Sequence, residues 1–223
     1  ASVMAAPGAL VISKIVYPET EESTTKGVVK VHVEKTNANL IDAAAHGASD
    51  GLRIALNVVA MLIAFIALIH MCDAILGFVG LQLWKMGVRA DGIGLNLEAL
   101  KLWDFFGLAF SPIAWLLGVP WADTKIVGRL MGEKMVINEF LAYTDLSAML
   151  KPDSTVHISK QAEAIATFAL CGFANLSSIA IQIGGIGEIA PSRRQDLARL
   201  GVKALICGTM ASYLSAALAG ILR

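Results

Sequence analysis

Three groups of polar residues interrupt an otherwise apolar sequence, and each has the side chains to bind a polar molecule. The first lies in "FALCGFANLSSIAIQIGGIG", residues 168–187, within a run free of formal charge from Ala164 to Gly187 that nevertheless carries Gly172, Asn175, Ser177 and Ser178 at its middle. Glycine lowers the cost of unwinding a helix there, and a break frees helix ends and backbone groups. Asn175 and Ser178, three apart, share a face if the helix resumes between them, and offer an amide and a hydroxyl to the hydroxyls of a ligand. A second reading fits the same residues: Ser and Asn also join transmembrane helices, and Gly lets helices approach closely.

The second group is "NEFLAY", where Glu139 stands beside Asn138 amid Met135, Val136, Ile137, Phe140 and Leu141. A carboxylate at membrane depth must face a cavity or a partner, and because it only accepts hydrogen bonds it suits a solute rich in hydroxyl donors. A solvated loop acid is the alternative. His70 and Asp73 form the third group, which a helix end near the membrane interface accounts for.

Other chemistries find no support. Cys72, Cys171 and Cys207 lie in apolar windows without paired spacing, and His32, His46, His70 and His157 are scattered, so neither a zinc set nor a disulfide framework can be assembled. No nucleophile has an adjacent base, which excludes an enzyme on sequence grounds. The formal net charge is zero, and no basic face accumulates to bind nucleic acid.

The elements that must hold these groups are those of a membrane protein. Of the 223 residues 56% are hydrophobic and 16% charged, with a mean hydropathy of +0.66. Windows close to the roughly 20 residues of a span occur at 54–72, 105–122, 164–187 and 204–222. The opening segment lacks the basic start and cleavage site of a signal peptide and is expected to be the lower end of a transmembrane helix (1–17). A polar stretch follows, with a short strand or extended linker at "VVKVHVEK" and a short helix on the membrane face from a cap at Asn39. Residues 54–83 are the clearest span. An amphipathic interfacial helix is expected from Leu95, with Trp103 at headgroup level, broken further on by Pro112, Gly118 and Pro120. Residues 121–150 carry too many charges for a lipid-exposed crossing, leaving a soluble loop or a re-entrant hairpin shielded by protein. Nine Lys and Arg flank the spans on the side of residues 13–53 and 188–203 and six on the other, which makes the first side cytoplasmic and places the C-terminus outside.

"GEKMVINEFLAY" (132–143), "FALCGFANLSSIAI" (168–181) and "GGIGEIAPSRRQDLARLGVKAL" resemble the signature segments of the concentrative nucleoside transporter family. "SVMAAPGALVISKIVYPETEE", "NLIDAAAHGASDGLRIALNVVAMLIAF" and "SPIAWLLGVPW" are similar to the family in the same order. The resemblance implies an all-α polytopic membrane protein with a re-entrant helical hairpin and a broken helix, the C-terminal half of an elevator-type transporter of the inner membrane. It implies a cytoplasmic linker and interfacial helix at 18–53, scaffold elements at 54–104, the hairpin region of the transport domain at 105–150, the broken helix at 151–190, and a loop with the last span at 191–223. It also implies a homotrimer, symport of nucleosides such as uridine with sodium or protons, and no other cofactor. Glu139 at the hairpin tip, supported by Asn138, with Asn175 and Ser178 on the broken helix, would contact the ribose hydroxyls, and Phe173 would lie near the base. The cation site is expected mostly upstream of Ala1, with a first hairpin and first broken helix, so the fragment alone is expected not to transport. A channel or permease for another polar solute on the same scaffold is the competing reading.

Overall fold

The computed structural model describes residues 2–20, 22, 38–90, 92, 95–154 and 156–222. Among these residues the regular structure is helical: α1 (Ser2–Val16), α2 (Leu40–Lys85), α3 (Leu102–Leu116), α4 (Thr124–Val136), α5 (Glu139–Met149), α6 (Lys160–Leu170), α7 (Leu176–Ile189) and α8 (Arg194–Ile221). The expected strand or linker at 28–35 lies outside the described residues, as do Lys26 and Arg223 of the charge count.

Asn39 caps α2 as expected, its side chain accepting from the Asp42 amide at 2.9 Å. The helix then differs from the sequence expectation. A short surface helix and a separate span from residue 54 are instead one helix of 46 residues. At 1.5 Å per residue it is about 69 Å long, more than twice the roughly 30 Å of a hydrocarbon core. No proline interrupts it, and Gly47 and Gly51 weaken a helix without ending it. Its most apolar stretch is not buried against the rest of the chain, so that surface requires lipid or another protein to cover it.

The segment after α2 also departs from expectation. Instead of an interfacial helix from Leu95, Leu95, Leu97 and Leu100 are buried in a small cluster with Trp84 and Ala90 around a 3-10 turn at Leu97–Ala99. Gly80 of α2 allows this approach, since a Cβ there would lie 2.5 Å from the Leu97 carbonyl oxygen. The helix begins only at Leu102, whose amide donates to Asp73 Oδ1 of α2 at 2.8 Å. Pro112 sits inside α3 without ending it. The chain stops its helix further on, at Gly118, whose φ of +98° favours glycine.

The charged stretch 121–150 is helical, which removes the open-loop reading. Ten of the thirteen α4 residues are buried, and α4 and α5 are separated by Ile137 and Asn138 alone. α3 packs on α4 through small residues. A Cβ on Gly132 would lie 2.6 Å from the Gly107 nitrogen, and one on Gly128 would lie 2.7 Å from the Ser111 nitrogen. Such contacts let two backbones approach closely enough for dispersion to hold them. The main core joins α3, α4, α6 and α8 through Phe110, Ala114, Met131, Ile165, Leu170 and Tyr213. α8 starts at Arg194, so the expected loop at 191–203 shrinks to the short turn Pro191–Arg193.

Gly132→Val is expected to destabilise the fold by about 2–3 kcal/mol, since backbone rather than a flexible side chain blocks the added atoms. Thermal melting of the purified full-length parent protein checks this, and an unchanged midpoint would remove the close α3–α4 contact from the account.

Candidate functional site

Two interruptions of helix meet at one cavity. The first separates α6 from α7 over residues 171–175. Gly172 turns the chain with a φ of +124°, and a Cβ there would also meet Ser212 Oγ at 2.6 Å. The conformation therefore favours glycine, since any other residue would be strained at this φ and would also have to displace the Ser212 hydroxyl. Asn175 then opens α7. Its Oδ1 accepts from the Ser178 amide at 2.7 Å, while Ser178 Oγ donates to the Asn175 carbonyl at 2.6 Å and accepts from the Asn175 amide at 3.3 Å. This is a reciprocal cap in which Ser178 takes the place usually held by Glu or Gln.

The second interruption is Ile137–Asn138. Asn138 is extended and opens α5 in the same way, its Oδ1 accepting from the Leu141 amide at 3.0 Å. Glu139 follows as the first residue of α5, where the positive end of the helix dipole favours a carboxylate. Two Asn-capped helix starts therefore point to the same region, each carrying the partial positive charge of its free amides.

The break also leaves carbonyls free at the end of α6, and the hairpin covers two of them. Lys134 Nζ of α4 donates to the Ala169 carbonyl at 2.9 Å, and the Tyr143 hydroxyl of α5 donates to that of Thr167 at 2.6 Å. These two bonds tie the hairpin to the broken helix and fix Glu139 relative to Asn175.

The cavity between these helix starts and α2 has a volume of about 770 Å³ and is lined by Asn138, Glu139, Phe173, Asn175, Ser177 and His70, among others. Phe173 is half exposed, at 55%. Two of these lining residues each carry a buried polar atom that has no hydrogen-bond partner among the described residues: Oε2 of Glu139 and Nδ2 of Asn175. The first only accepts and the second only donates, and a hydroxyl, which can do either, matches both in type. Leaving such groups unmatched in a buried place is disfavoured.

Of the residues singled out from sequence, Asn138, Glu139, Phe173 and Asn175 come together here. Ser178 does not join them, since it lines a separate cavity of about 410 Å³ between α1, α7 and α8. Ser177, one residue earlier, takes the place on the main cavity. The cap explains the offset: with Asn175 outside the helix, its third residue turns inward to bond the cap. The Asn-x-x-Ser spacing carried that signal. His70 and Asp73 lie well inside α2 rather than at its end; Asp73 holds the start of α3, and His70 lines the cavity. Among the described residues no group of three His, Cys, Asp or Glu side chains is placed to hold a metal.

The sequence matches the family model described as "Na+ dependent nucleoside transporter C-terminus" over residues 1–220. It is 48% identical over 222 residues to the uncharacterized transporter YutK of Bacillus subtilis, covering 99% of this chain and 51% of that protein. With sodium/nucleoside cotransporter 2 of Rattus norvegicus it shares 42% identity over 233 residues, covering all of this chain and 34% of that one. The fold superposes with a TM-score of 0.83 and 44% identity on a CNTnw variant in an outward-facing state, covering 99% of this chain and 49% of that one. The chain thus spans about half the length of the bacterial relative and a third of the mammalian one.

Removing the reciprocal cap tests the assignment of Ser178. Ser178→Ala is expected to cost about 1 kcal/mol of stability, read as a lower melting midpoint in the full-length parent. A midpoint that does not move would mean that the hydroxyl does not secure the start of α7.

Proposed function

The chain belongs to the Na+ dependent nucleoside transporter family, which it matches through that family's C-terminal part, and on that premise we propose that its parent protein takes up nucleosides by symport with sodium. The observation that carries the reading is the unpaired acceptor of Glu139 and the unpaired donor of Asn175 on one cavity. A ribose offers neighbouring hydroxyls, each a donor and an acceptor, which match that pair. Asn138 supports Glu139 by fixing the start of α5, and Ser178 supports Asn175 by fixing the start of α7. Phe173 presents an apolar ring to the base, here that of a nucleoside such as uridine. Sodium as the coupling ion follows the names of the relatives, and a proton is the alternative the experiment separates.

Symport requires that ion and solute favour the same conformational state, so that the gradient of one drives the other. The α2–α7 seam supplies the surface along which such a change can run. A Cβ on Gly184 of α7 would lie 3.2 Å from the Asn57 carbonyl oxygen of α2, and Asn57 Nδ2 donates to Glu188 Oε2 at 3.0 Å. Residues 54–104 act as scaffold in this reading, with residues 105–190 carrying the solute site past it in an elevator-like step. The parent is, by its resemblance to the family, a multi-pass inner-membrane homotrimer, and the charge asymmetry of the flanking segments puts its C-terminus outside.

Uridine uptake into liposomes holding the full-length parent, with sodium and proton gradients imposed separately, tests this. Uptake should follow the sodium gradient, and Glu139→Gln should weaken it about 10- to 100-fold, the loss expected for a hydrogen bond to a charged group. Gradient-independent flux would indicate a channel or facilitated permease instead, and undiminished uptake by the variant would remove Glu139 from the site.

A further inference from the structure

Lys134 is a charged group that solute binding alone leaves unexplained. Its side chain is 1% exposed, the largest of the fully buried side chains. An ammonium has three N–H donors. Among the described residues one of them finds a hydrogen-bond acceptor, the Ala169 carbonyl at 2.9 Å. The nitrogen also lies 5.9 Å over the Tyr213 ring, and no described carboxylate forms an ion pair with it. A buried cation of this kind is strongly disfavoured unless negative charge faces it.

Two sources of negative charge do. One is the open carbonyl end of α6, where the helix dipole is negative and Ala169 lies in the last turn. The other is Glu139, which opens α5 just across the two-residue break from the last turn of α4 and whose Oε2 has no hydrogen-bond partner among the described residues. The two residues flank the break at Ile137–Asn138, Lys134 in the last turn of α4 and Glu139 in the first of α5. Ala169 stands on the near side of the other break, with Asn175 on its far side. One ammonium therefore sits between the two halves of the solute site.

We propose that Lys134 is a positioning residue for that site: it joins the hairpin to the broken end of α6 and supplies the counter-charge that keeps the Glu139 carboxylate facing the cavity without a protein partner. The proposal rests on the reading of Glu139 as a solute contact. It separates two functions of the side chain, since a neutral donor such as Gln can still reach a carbonyl but brings no charge to Glu139.

The test is a two-residue cycle in the full-length parent, read by equilibrium binding of radiolabelled uridine and by melting temperature without uridine. Lys134→Gln is expected to weaken uridine binding about tenfold or more, Lys134→Arg to retain more affinity, and Lys134→Gln to add less than about a twofold loss once Glu139→Gln is present. The melting temperature should fall in Lys134→Gln alone and recover in the double variant. If Lys134→Gln does not fold, the double variant is still expected to do so, and its failure would overturn the charge balance. Equal losses in both backgrounds would make Lys134 a packing element and overturn the proposal while leaving the solute site intact. Undiminished uridine binding by Glu139→Gln would instead overturn the site reading and this proposal with it.

Discussion

A helix broken in apolar surroundings must have its freed amides and carbonyls satisfied, and the structure is organised around meeting that requirement between α6 and α7. In lipid or in a packed core no water takes the place of the lost bonds. Gly172 makes the turn sterically possible. Asn175 and Ser178 then take up the amide end, and Lys134 and Tyr143 take up the carbonyl end. The second pair comes from the hairpin, so satisfying the break also docks α4 and α5 against it. The proposed solute site is the remainder of this arrangement: Asn175 uses its oxygen as a cap and keeps its amide nitrogen, while Glu139 keeps an oxygen.

Under the proposed function that remainder is the source of selectivity: a buried donor and a buried acceptor without protein partners match a hydroxyl-bearing solute better than an apolar one. The helix starts of α5 and α7 add fixed partial charges around it. Both starts are already capped by Asn side chains.

Much of this was legible in the sequence because membrane physics makes polar residues conspicuous. The break at Gly172 and the choice of Glu139 and Asn175 as candidates followed from polar groups in apolar runs, whereas their grouping into one site, with Asn138 and Phe173, followed from the family resemblance. What stayed hidden has specific causes. The length of α2 was obscured because Asp50 and Arg53 suggest a surface segment, although neither ends a helix. The turn at Leu97–Ala99 depends on Gly80, some twenty residues away and invisible to local periodicity. Ser178 and Ser177 exchanged places because a capping bond, rather than helical spacing, sets the phase of the first turn. α4 was ambiguous since Lys125, Arg129, Glu133 and Lys134 read as solvated, and only packing against α3 and α6 shows two of them to be buried.

The measurement that bears most directly on the central claim is equilibrium binding of uridine and of its 2′,3′-dideoxy analogue, which lacks the two adjacent ring hydroxyls, to the full-length parent and to its Glu139→Gln and Asn175→Ala variants. The account predicts that losing the hydroxyls weakens binding about 100-fold to the parent and much less to either variant, because the groups that read them are already gone. Equal binding of both ligands to the parent, or the same penalty in all three proteins, would contradict it.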